Sequence, residues 1–409
     1  MSSSIQTLFR NKNFRLLFFG NALSGVGQGM TVIGTPWYIV RNFGSSHTLG
    51  IIMTTTIVST LFVSPYMGAL IDRHKRKNLI LIENVLGFVG LGAMSLLGIF
   101  GGYSLITLGA VYWFTIMIFN LHFPATYALS QESFPPESYA HISGILEVVT
   151  QTAAIVAGGL TGVIIEHIGM PLIYAIDSIT YAVAFFFLLA FTYEARVGVG
   201  ISAAPKQFMK EMRTALEYLR SRSSFMWLNI ALYIPFIVLV SIDLIIPFYI
   251  SDVLHANATT YSAADMFYAA GATAAGWWMR NFSLSFGENF AYVSAFIMFI
   301  IALLTIALFP IVGIVFASVA LTGWANAGIR VNRVAFIMHT VPTELIGRIN
   351  SFFGWIGTCM RILILVFLTW AIDAIGSQWC YGFLALILVL SLGMYLQTSR
   401  KELAVRVNN

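Results

Sequence analysis

The sequence predicts an all-α membrane protein whose twelve transmembrane helices form two six-helix bundles, and three observations support this fold class. The 409 residues are 58% hydrophobic and 10% charged, with a mean hydropathy of +0.83. A water-soluble domain of this size could not cover its core with so few polar groups. Apolar runs of about 20 residues, which can cross about 30 Å of hydrocarbon, recur along the chain. The two halves of the chain also align with each other.

Glycines, prolines and charged clusters divide the apolar sequence into spans. The first apolar segment continues from Phe14 to Val40, which is too long for a signal-peptide core, so we expect it to be retained as a span. The twelve predicted spans cover residues 14–40, 47–71, 79–100, 104–128, 140–166, 170–193, 225–251, 260–279, 289–309, 313–338, 349–373 and 378–397.

Basic residues predict the orientation of the spans, because Lys and Arg resist translocation. Of the 22 Lys and Arg residues, 18 fall on one side of the predicted spans and Arg41 alone falls on the other. Three more, Arg330, Arg333 and Arg361, lie inside spans. Both termini should therefore be cytoplasmic, and the +5 net charge reflects this topology. Because the basic residues are scattered over span ends, we expect no nucleic-acid surface.

Three matches in the same order indicate an internal repeat. PWYI at 36–39 matches PFYI at 247–250, Gly68 matches Gly276, and PPESYAHIS from Pro135 matches PTELIGRIN from Pro342, with offsets of 211, 208 and 207 residues. The predicted domains are therefore a six-helix bundle at 1–193, a linker at 194–224 and a second bundle at 225–409. Such bundles place a substrate site near the membrane midplane, at the interface of the two halves.

The linker carries an amphipathic helix, KQFMKEMRTALEYLRS. Its apolar residues recur at helical spacing, which predicts a cytoplasmic surface helix that tethers the two bundles. These residues are Phe208, Met212, Ala215 and Leu219.

Several classes of function find no support in the sequence. Cys359 and Cys380 lie in apolar stretches without metal-ligand or redox spacing. The sequence contains no G-x-x-x-x-G-K-[ST] pattern and no recognisable catalytic set, so we expect neither ATP hydrolysis nor another enzyme activity, and no cofactor. Because ATP hydrolysis is not expected, movement of a substrate across the membrane should be driven by an ion gradient, most simply of protons.

The stretch GALIDRHKRKNLI at 68–80 concentrates charge between spans 2 and 3. It resembles the loop between helices 2 and 3 of the major facilitator superfamily, with the pattern G-x-L-a-D-R-x-x-R-[KR]. The resemblance implies a gating role for Gly68, Asp72, Arg73 and Arg76: the glycine would permit close helix contact, and the aspartate would pair with an arginine or a helix end. Alternatively, the basic run is only a positive-inside retention signal.

Within this superfamily, the sequence resembles the bacterial efflux branch of macrolide and siderophore exporters. The likeness is carried by NKNFRLLFFGNALSGVGQGM, by IYAIDSITYAVAFFFLLAF from Ile173 and by the P-x-E-x-x-G-R-I-N-S element from Pro342. The sequence departs from many proton antiporters in two places. Span 5 carries AGGLTG at 157–162 without a Gly-Pro pair, and span 4 has no arginine.

Polar residues form a stripe on each of two spans, and the resemblance places both spans at the central cavity. The alternative is that these side chains join neighbouring helices by hydrogen bonds. For the two arginines of span 10, an ion pair or snorkelling competes with substrate contact. The stripe of span 1 is Asn21, Ser24, Gln28 and Thr31, and that of span 10 is Thr322, Asn326, Arg330 and Arg333.

Charged residues deep in a span need a partner, a wet cavity or a function. Glu147, which shares a face with Thr150 and Gln151, is predicted near the midplane, where it would exchange a proton or bind a cationic group. Arg361 would hold an anionic group or neutralise an acid. Asp177 and Asp243 are further candidates for proton coupling; for Asp177 the resemblance favours a hydrogen bond to a neighbouring helix.

Four aromatic residues in spans could favour flat or amphiphilic substrates: Trp37, Tyr233, Trp324 and Trp355. We therefore expect a monomeric, multi-pass transporter of a bacterial inner membrane that binds a small molecule and uses protons to export it, such as a drug or siderophore. The alternatives are uptake of a metabolite or iron chelate, and a transporter-like sensor or lipid-handling scaffold.

Overall fold

A computed structural model describes residues 8–193 and 205–407, and its long elements are all helices. Spans 1–6 correspond to α1–α6, the linker helix is α7, and spans 7–12 correspond to α8–α13. The helices are α1 (Lys12–Phe43), α2 (Ser46–Arg73), α3 (Arg76–Phe100), α4 (Leu105–Ser133), α5 (Tyr139–His167), α6 (Met170–Leu189), α7 (Pro205–Ser221), α8 (Ser223–Phe248), α9 (Ala258–Phe286), α10 (Glu288–Leu308), α11 (Val312–Thr340), α12 (Thr343–Ile375) and α13 (Ser377–Val407).

Eleven of the described helices are long and apolar enough to cross a membrane. The long helix outside this set is α9, which spans 29 residues but carries Asp265 and Arg280 among many small residues. All twelve predicted spans coincide with long helices, so the prediction of an all-α membrane fold is confirmed.

Local sequence signals fix several helix ends. The Asn11 side chain accepts hydrogen bonds from the backbone N–H groups of Asn13 and Phe14 at the start of α1. The same helix ends at Gly44, whose φ of 61° is in the left-handed region that glycine adopts without strain. At the start of α4, Ser104 and Thr107 form a capping box. Each cap satisfies backbone groups that a helix end leaves without partners.

Pro235 shows how a proline inside a membrane helix is accommodated. A proline cannot donate to the carbonyl four residues earlier, which in α8 belongs to Ala231. The Ser391 hydroxyl of α13 donates to that carbonyl at 2.8 Å. The hydroxyl therefore replaces the lost helical hydrogen bond in a region without water.

The chain divides into two compact units. The first comprises Met1–Gly44, Phe62–Ala203 and Asn257–Met266, and the second comprises Ser45–Leu61, Ala204–Ala256 and Phe267–Asn409. These boundaries differ from the boundaries of the predicted domains for two reasons. The first turns of α2 pack with the second half of the chain, and the first turns of α9 pack with the first half.

In the first unit, α6 packs against α3 and α1, and α1 also packs against α5. A buried apolar cluster that includes Phe14, Leu129, Ile142 and Phe191 fills one end of this unit. In the second unit, α8 packs against α12 and α13, and α10 packs against α11 and α13.

The linker helix α7 belongs to the second unit. Ala215 and Leu219 are fully buried in a cluster with Phe225, Ile349 and Phe353, and Met212 packs at its edge. The side chain of Phe208 lies outside the described residues. The predicted amphipathic helix is present, and its apolar stripe packs on other helices of the second unit.

The AGGLTG stretch of α5 is the surface on which the first turns of α9 pack. A Cβ atom at Gly158 would lie 2.7 Å from the Met266 backbone nitrogen, and one at Gly162 would lie 2.3 Å from the Ala258 carbonyl oxygen. The Gly162 N–H donates to the Ser262 hydroxyl at 2.9 Å. This G-x-x-x-G spacing therefore permits backbone contact, as small residues do between membrane helices.

One turn after Gly162, Glu166 caps the N-terminus of α9. Its Oε1 accepts the Thr259 N–H at 2.9 Å, and its Oε2 accepts the Thr259 hydroxyl at 3.0 Å. Asp373 makes a corresponding contact in the second unit, where it accepts the Ser46 hydroxyl at 2.5 Å at the start of α2. Asp373 lies 207 residues after Glu166, which is one of the offsets of the internal repeat.

We predict that Gly162→Ala destabilises the protein, because the added methyl group would overlap the Ala258 carbonyl group. Overpacking of this kind costs about 1–3 kcal/mol. Thermal unfolding in detergent should therefore show a lower midpoint than for the unmodified chain.

Gly68→Ala is the matched control, since a Cβ atom at Gly68 would meet nothing within 4 Å. Its unfolding midpoint should not fall. Equal midpoints for both variants would contradict the close packing of α5 on α9.

Candidate functional site

The first unit contains a cavity of about 160 Å³ between α1, α4 and α5. Glu83 from α3 and Tyr181 from α6 complete its wall. On α4, Phe119, His122, Phe123 and Thr126 recur at helical spacing and present one face to the cavity. Most of the wall is apolar or aromatic, and the polar groups are few, as in many small-molecule sites.

A hydrogen-bond network joins three helices at the wall of this cavity. His122 Nδ1 lies 2.7 Å from Glu83 Oε1, and His122 Nε2 lies 2.7 Å from Asn21 Oδ1. Asn21 Nδ2 donates to the Leu17 carbonyl at 2.8 Å, which orients its Oδ1 toward the histidine. The ring of His122 is therefore held between α3 and α1.

Polar atoms without partners face the same interior. Glu83 is 2% exposed, and its Oε2 is buried without a hydrogen-bond partner among the described residues. Gln28 Nε2 and Asn84 Oδ1 are also buried without a hydrogen-bond partner among the described residues. A second cavity of about 20 Å³, bordered by Asn84 and His122, is large enough for one water molecule. Unpaired buried polar groups cost about 1–3 kcal/mol each, so these atoms are sites for water or ligand.

Sequence reasoning missed Glu83 and His122. The signal was available, because a carboxylate in span 3 and a histidine in span 4 are both rare inside membrane helices. The polar residues were instead sought as stripes along single helices. A pair formed across α3 and α4 leaves no such stripe, and its members are 39 positions apart.

Three members of the predicted span 1 stripe, Asn21, Ser24 and Gln28, line the cavity. For Thr31 the predicted substrate contact is wrong: the residue is 1% exposed and its hydroxyl donates to Asp177 Oδ2 at 2.5 Å. Gly27 provides the space for this contact, since a Cβ atom there would lie 2.6 Å from Asp177 Oδ1. Asp177 is fully buried and joins α6 to α1, which is the hydrogen-bonding alternative named for it above.

Glu147 does not line this cavity, although its neighbours Leu146, Val149 and Thr150 do. It is exposed, and its Oε1 accepts the Gln151 amide at 3.1 Å. The expectation of a desolvated carboxylate at this position is therefore wrong. Glu147 and Gln151 point to a different side of α5 from the cavity.

The predicted stripe of span 10 separates into buried and exposed members. Thr322 and Asn326 are 2% and 3% exposed; Asn326 donates to the Tyr268 hydroxyl at 3.3 Å, and Thr322 donates to its own helix. Arg330 is exposed. For Asn326, a hydrogen bond to a neighbouring helix is the alternative that the structure shows, whereas the bond of Thr322 stays within its own helix.

Arg333 is 6% exposed and lies between two aromatic rings, 4.5 Å from the centroid of Tyr233 and 5.3 Å from that of Phe353. Its Nε and Nη2 atoms are buried without hydrogen-bond partners among the described residues. The expected ion pair or snorkelling is therefore replaced by cation–π contacts, worth up to about 2 kcal/mol when desolvated.

Arg361 contacts groups of α8. Its Nη2 donates to the Val240 carbonyl at 2.8 Å and lies 3.6 Å from Asp243 Oδ2. Of the two alternatives for Arg361, neutralising an acid is the one that the structure shows. Asp243 is predicted to couple protons, and its carboxylate is more exposed than the guanidinium with which it pairs.

The four aromatic candidates lie in different surroundings. Trp37 is 4% exposed and stacks on Tyr261 with ring centroids 5.2 Å apart. Trp324 packs edge-on against Phe282, whereas Trp355 is 43% exposed. None of the four candidates contributes to the wall of the cavity in the first unit.

The charged loop between α2 and α3 differs from its predicted geometry. Gly68 is exposed, and a Cβ atom there would meet no described atom within 4 Å; the close helix contact expected at this glycine stays a prediction. The side chain of Asp72 lies outside the described residues. Arg73 is exposed, and Arg76 Nε lies 3.3 Å from Glu132 Oε1 at the end of α4. The contact shown for Arg76 therefore lies within the first unit.

Two further contacts hold the ends of helices near this loop. Lys77 Nζ donates to the Phe191 carbonyl at 2.7 Å, just past the end of α6. The Tyr193 hydroxyl donates to Glu132 Oε2. Burial and the nearby Glu132 carboxylate raise the pKa of Tyr193 to about 12, so this hydroxyl remains a donor at neutral pH.

Comparison with known families identifies the fold. The family model of the Major Facilitator Superfamily matches residues 17–312. The chain belongs to this superfamily. Two bacterial structures of major facilitators share the arrangement of helices over nearly the whole chain. A bacterial homologue of the iron transporter ferroportin, in its inward-facing state, has a TM-score of 0.74 and 14% identity, over 94% of this chain and 98% of that one.

A bacterial homologue of the human lysosomal transporter Spinster has a TM-score of 0.71 and 14% identity, over 95% of this chain and 97% of that one. Among curated proteins, the chain is similar to two efflux proteins. It is 21% identical to the macrolide efflux protein A of Streptococcus pyogenes over 90% of this chain and 92% of that protein. It is 21% identical to the multidrug efflux pump Tap of Mycolicibacterium fortuitum over 38% of this chain, which spans 39% of the pump. The chain is thus a multi-pass transporter with weak similarity to efflux pumps.

We predict that Thr31→Val destabilises the protein by about 1–3 kcal/mol, because it leaves a buried Asp177 oxygen without its donor. Valine has nearly the shape of threonine, so packing should be retained. The midpoint of thermal unfolding in detergent measures the effect.

Thr115→Val is the matched control. Thr115 is also buried, but its hydroxyl donates only to the Val111 carbonyl of its own helix. This variant should unfold at the midpoint of the unmodified chain; a loss as large as that of Thr31→Val would argue against a special role for the contact with Asp177.

Proposed function

We propose that this chain is a secondary transporter that exports an amphiphilic small molecule, such as a drug or siderophore, in exchange for protons. The observation that carries the proposal is the cavity of the first unit. Its wall combines the apolar surfaces of Val32, Phe119, Phe123 and Leu146 with a short polar network. Such a wall suits a ligand that has an apolar body and one polar group.

The volume of the cavity bears on how the ligand would bind. Sites that enclose a whole drug-sized ligand have volumes of about 300–1,000 Å³. A cavity of about 160 Å³ would therefore take the polar group and the adjoining apolar part of a larger molecule. Asn21, Gln28 and His122 offer hydrogen bonds to that polar group.

The similar proteins support export. The names of two of them, a macrolide efflux protein and a multidrug efflux pump, describe efflux of macrolides and of multiple drugs. Export by the present chain is an inference from this similarity together with the cavity. We place it in a bacterial inner membrane as a monomer, with both termini in the cytoplasm, following the distribution of its basic residues.

Proton coupling requires a buried group that can gain and lose a proton. Glu147, Asp177 and Asp243 were predicted for this task from the sequence. In the structure, Asp177 accepts a hydrogen bond from Thr31, and Asp243 forms an ion pair with Arg361. Glu83 and His122 are better placed, because they lie in the wall of the proposed binding site.

The alternative of uptake of a carboxylated metabolite relied on Arg361. Because Arg361 contacts Asp243 and a backbone carbonyl, it would have to leave both to bind such a ligand. The contacts of Arg361 therefore do not favour a carboxylated ligand at this residue.

We predict that bacterial cells producing this chain will accumulate less ethidium and less rhodamine 6G than cells without it, and that a proton uncoupler will abolish the difference. Ala154→Trp should restore accumulation, because the indole would fill the cavity that Ala154 lines. Fluorescence of loaded cells measures the effect.

Ala93→Trp is the control, since Ala93 is exposed on α3. Cells producing this variant should export both dyes as the unmodified chain does. If retention of both dyes were the same with and without the chain, export of amphiphilic compounds would be refuted.

A further inference from the structure

The proposed export site contains a carboxylate and a histidine that share one hydrogen. Asn21 presents a carbonyl oxygen to His122 Nε2, so Nε2 must carry a hydrogen. The other ring nitrogen, Nδ1, lies 2.7 Å from Glu83 Oε1. A contact of this length needs one proton between the two atoms. It belongs either to an imidazolium beside a carboxylate or to a carboxylic acid beside a neutral imidazole.

Both arrangements leave the pair with no net charge. If the proton departed, an ionised Glu83 would face the lone pair of a neutral His122 at hydrogen-bond distance. The site would then carry one uncompensated negative charge in a buried position, which is strongly unfavourable. A cation that enters the cavity removes this penalty.

The atoms that would receive such a cation are in place. Glu83 Oε2 is buried, has no partner among the described residues and belongs to a side chain in the cavity wall. The rings of Phe119, Phe123, Tyr127 and Tyr181 also line the cavity. Aromatic faces beside a carboxylate are the surroundings that proteins use to bind organic cations.

Other titratable groups near the pair do not replace it. Helix α4 contributes Tyr127 and α6 contributes Tyr181 to the cavity wall, whereas α1 and α5 line it with uncharged residues. Asp177, on α6, does not line the cavity and accepts hydrogen bonds from Thr31 and Thr180. Among the described residues that form the wall, Glu83 is the acid and His122 the base.

We propose that the Glu83–His122 pair exchanges one proton for one organic cation, so that the substrate of this transporter is an apolar molecule with a single positive charge. On binding, the N–H or O–H bond of the shared proton breaks, the proton passes to water, and the cation takes its place beside Glu83. The site has the same charge before and after, and transport by this exchange is electroneutral. This inference rests on the proposed function for its transport step, but the binding step stands without it.

The binding step is tested with the purified full-length chain in lipid nanodiscs. The probes are methyltriphenylphosphonium, a permanent cation that cannot itself release a proton, and triphenylphosphine oxide, a neutral molecule of similar shape. Titration calorimetry in two buffers of different ionisation enthalpy gives the number of protons released. We expect close to one proton per cation bound, none for the neutral compound, and at least about tenfold tighter binding of the cation.

Glu83→Gln should abolish both the proton release and the preference for the cation. Glu217→Gln is the matched control; Glu217 is exposed on α7, where it pairs with Arg213, and this variant should behave as the unmodified chain does. If Glu83→Gln does not fold, the proton count of the unmodified chain still decides the matter. Cation binding without proton release, equal affinity for both compounds, or no binding of the cation would each overturn the inference.

Transport is tested separately in proteoliposomes. A pH gradient should drive accumulation of methyltriphenylphosphonium above that in protein-free liposomes. A membrane potential alone should drive the same accumulation with and without the protein, because this cation crosses lipid unaided. Proton release on binding without transport would refute the proposed exporter and leave the exchange site intact. Transport of triphenylphosphine oxide without proton release would support export and refute the exchange.

Discussion

The structure depends on one constraint: inside a lipid bilayer, every polar group of the chain must find its partner within the protein. Lipid cannot supply that partner, and several buried polar side chains take theirs from a neighbouring helix. Thr31 and Asp177 join α1 to α6, and Ser391 completes the backbone of α8 at Pro235. These contacts determine which helix faces meet.

The same constraint makes the unsatisfied groups informative. Glu83 Oε2 in the first unit and the Arg333 guanidinium in the second are both buried with atoms that lack partners among the described residues. Their surroundings differ, however. Arg333 is enclosed by the rings of Tyr233 and Phe353, which stabilise its charge, whereas Glu83 borders a cavity that can admit a ligand. A ligand site is therefore better supported at Glu83 than at Arg333.

The sequence predicted the helices well because their signal is local. A run of about 20 apolar residues leaves few alternatives to a membrane helix. It predicted side-chain partners less well, since these depend on which helices become neighbours. Asn21 lines the cavity of the first unit, but its contact with His122 could not be read from α1 alone. Gly68 shows the same limit: the motif predicts close packing, but it does not say which helix would contact the glycine, and no described atom lies within 4 Å of a Cβ atom there.

The AGGLTG stretch lacks the Gly-Pro pair of many proton antiporters. Its packing role can be recognised only from its contacts with α9. Small residues are a signal for helix packing, but they do not identify the partner helix. Glu166 reaches the first turn of α9 from the same α5 face as Gly162. The acid and the glycines therefore act together, which neither motif predicts alone.

The internal repeat duplicates this packing but not the chemistry of the cavity. Glu166 and Asp373, separated by 207 residues, each bind the first turn of a helix from the other half of the sequence. At the same range of offsets, Glu83 corresponds to positions 290–294 in α10, and α10 has no acid after Glu288. The acid of the cavity thus has no counterpart in the second copy. Because the contacts between helices recur in both halves and the carboxylate–histidine pair does not, the fold accounts for the first feature but not for the second.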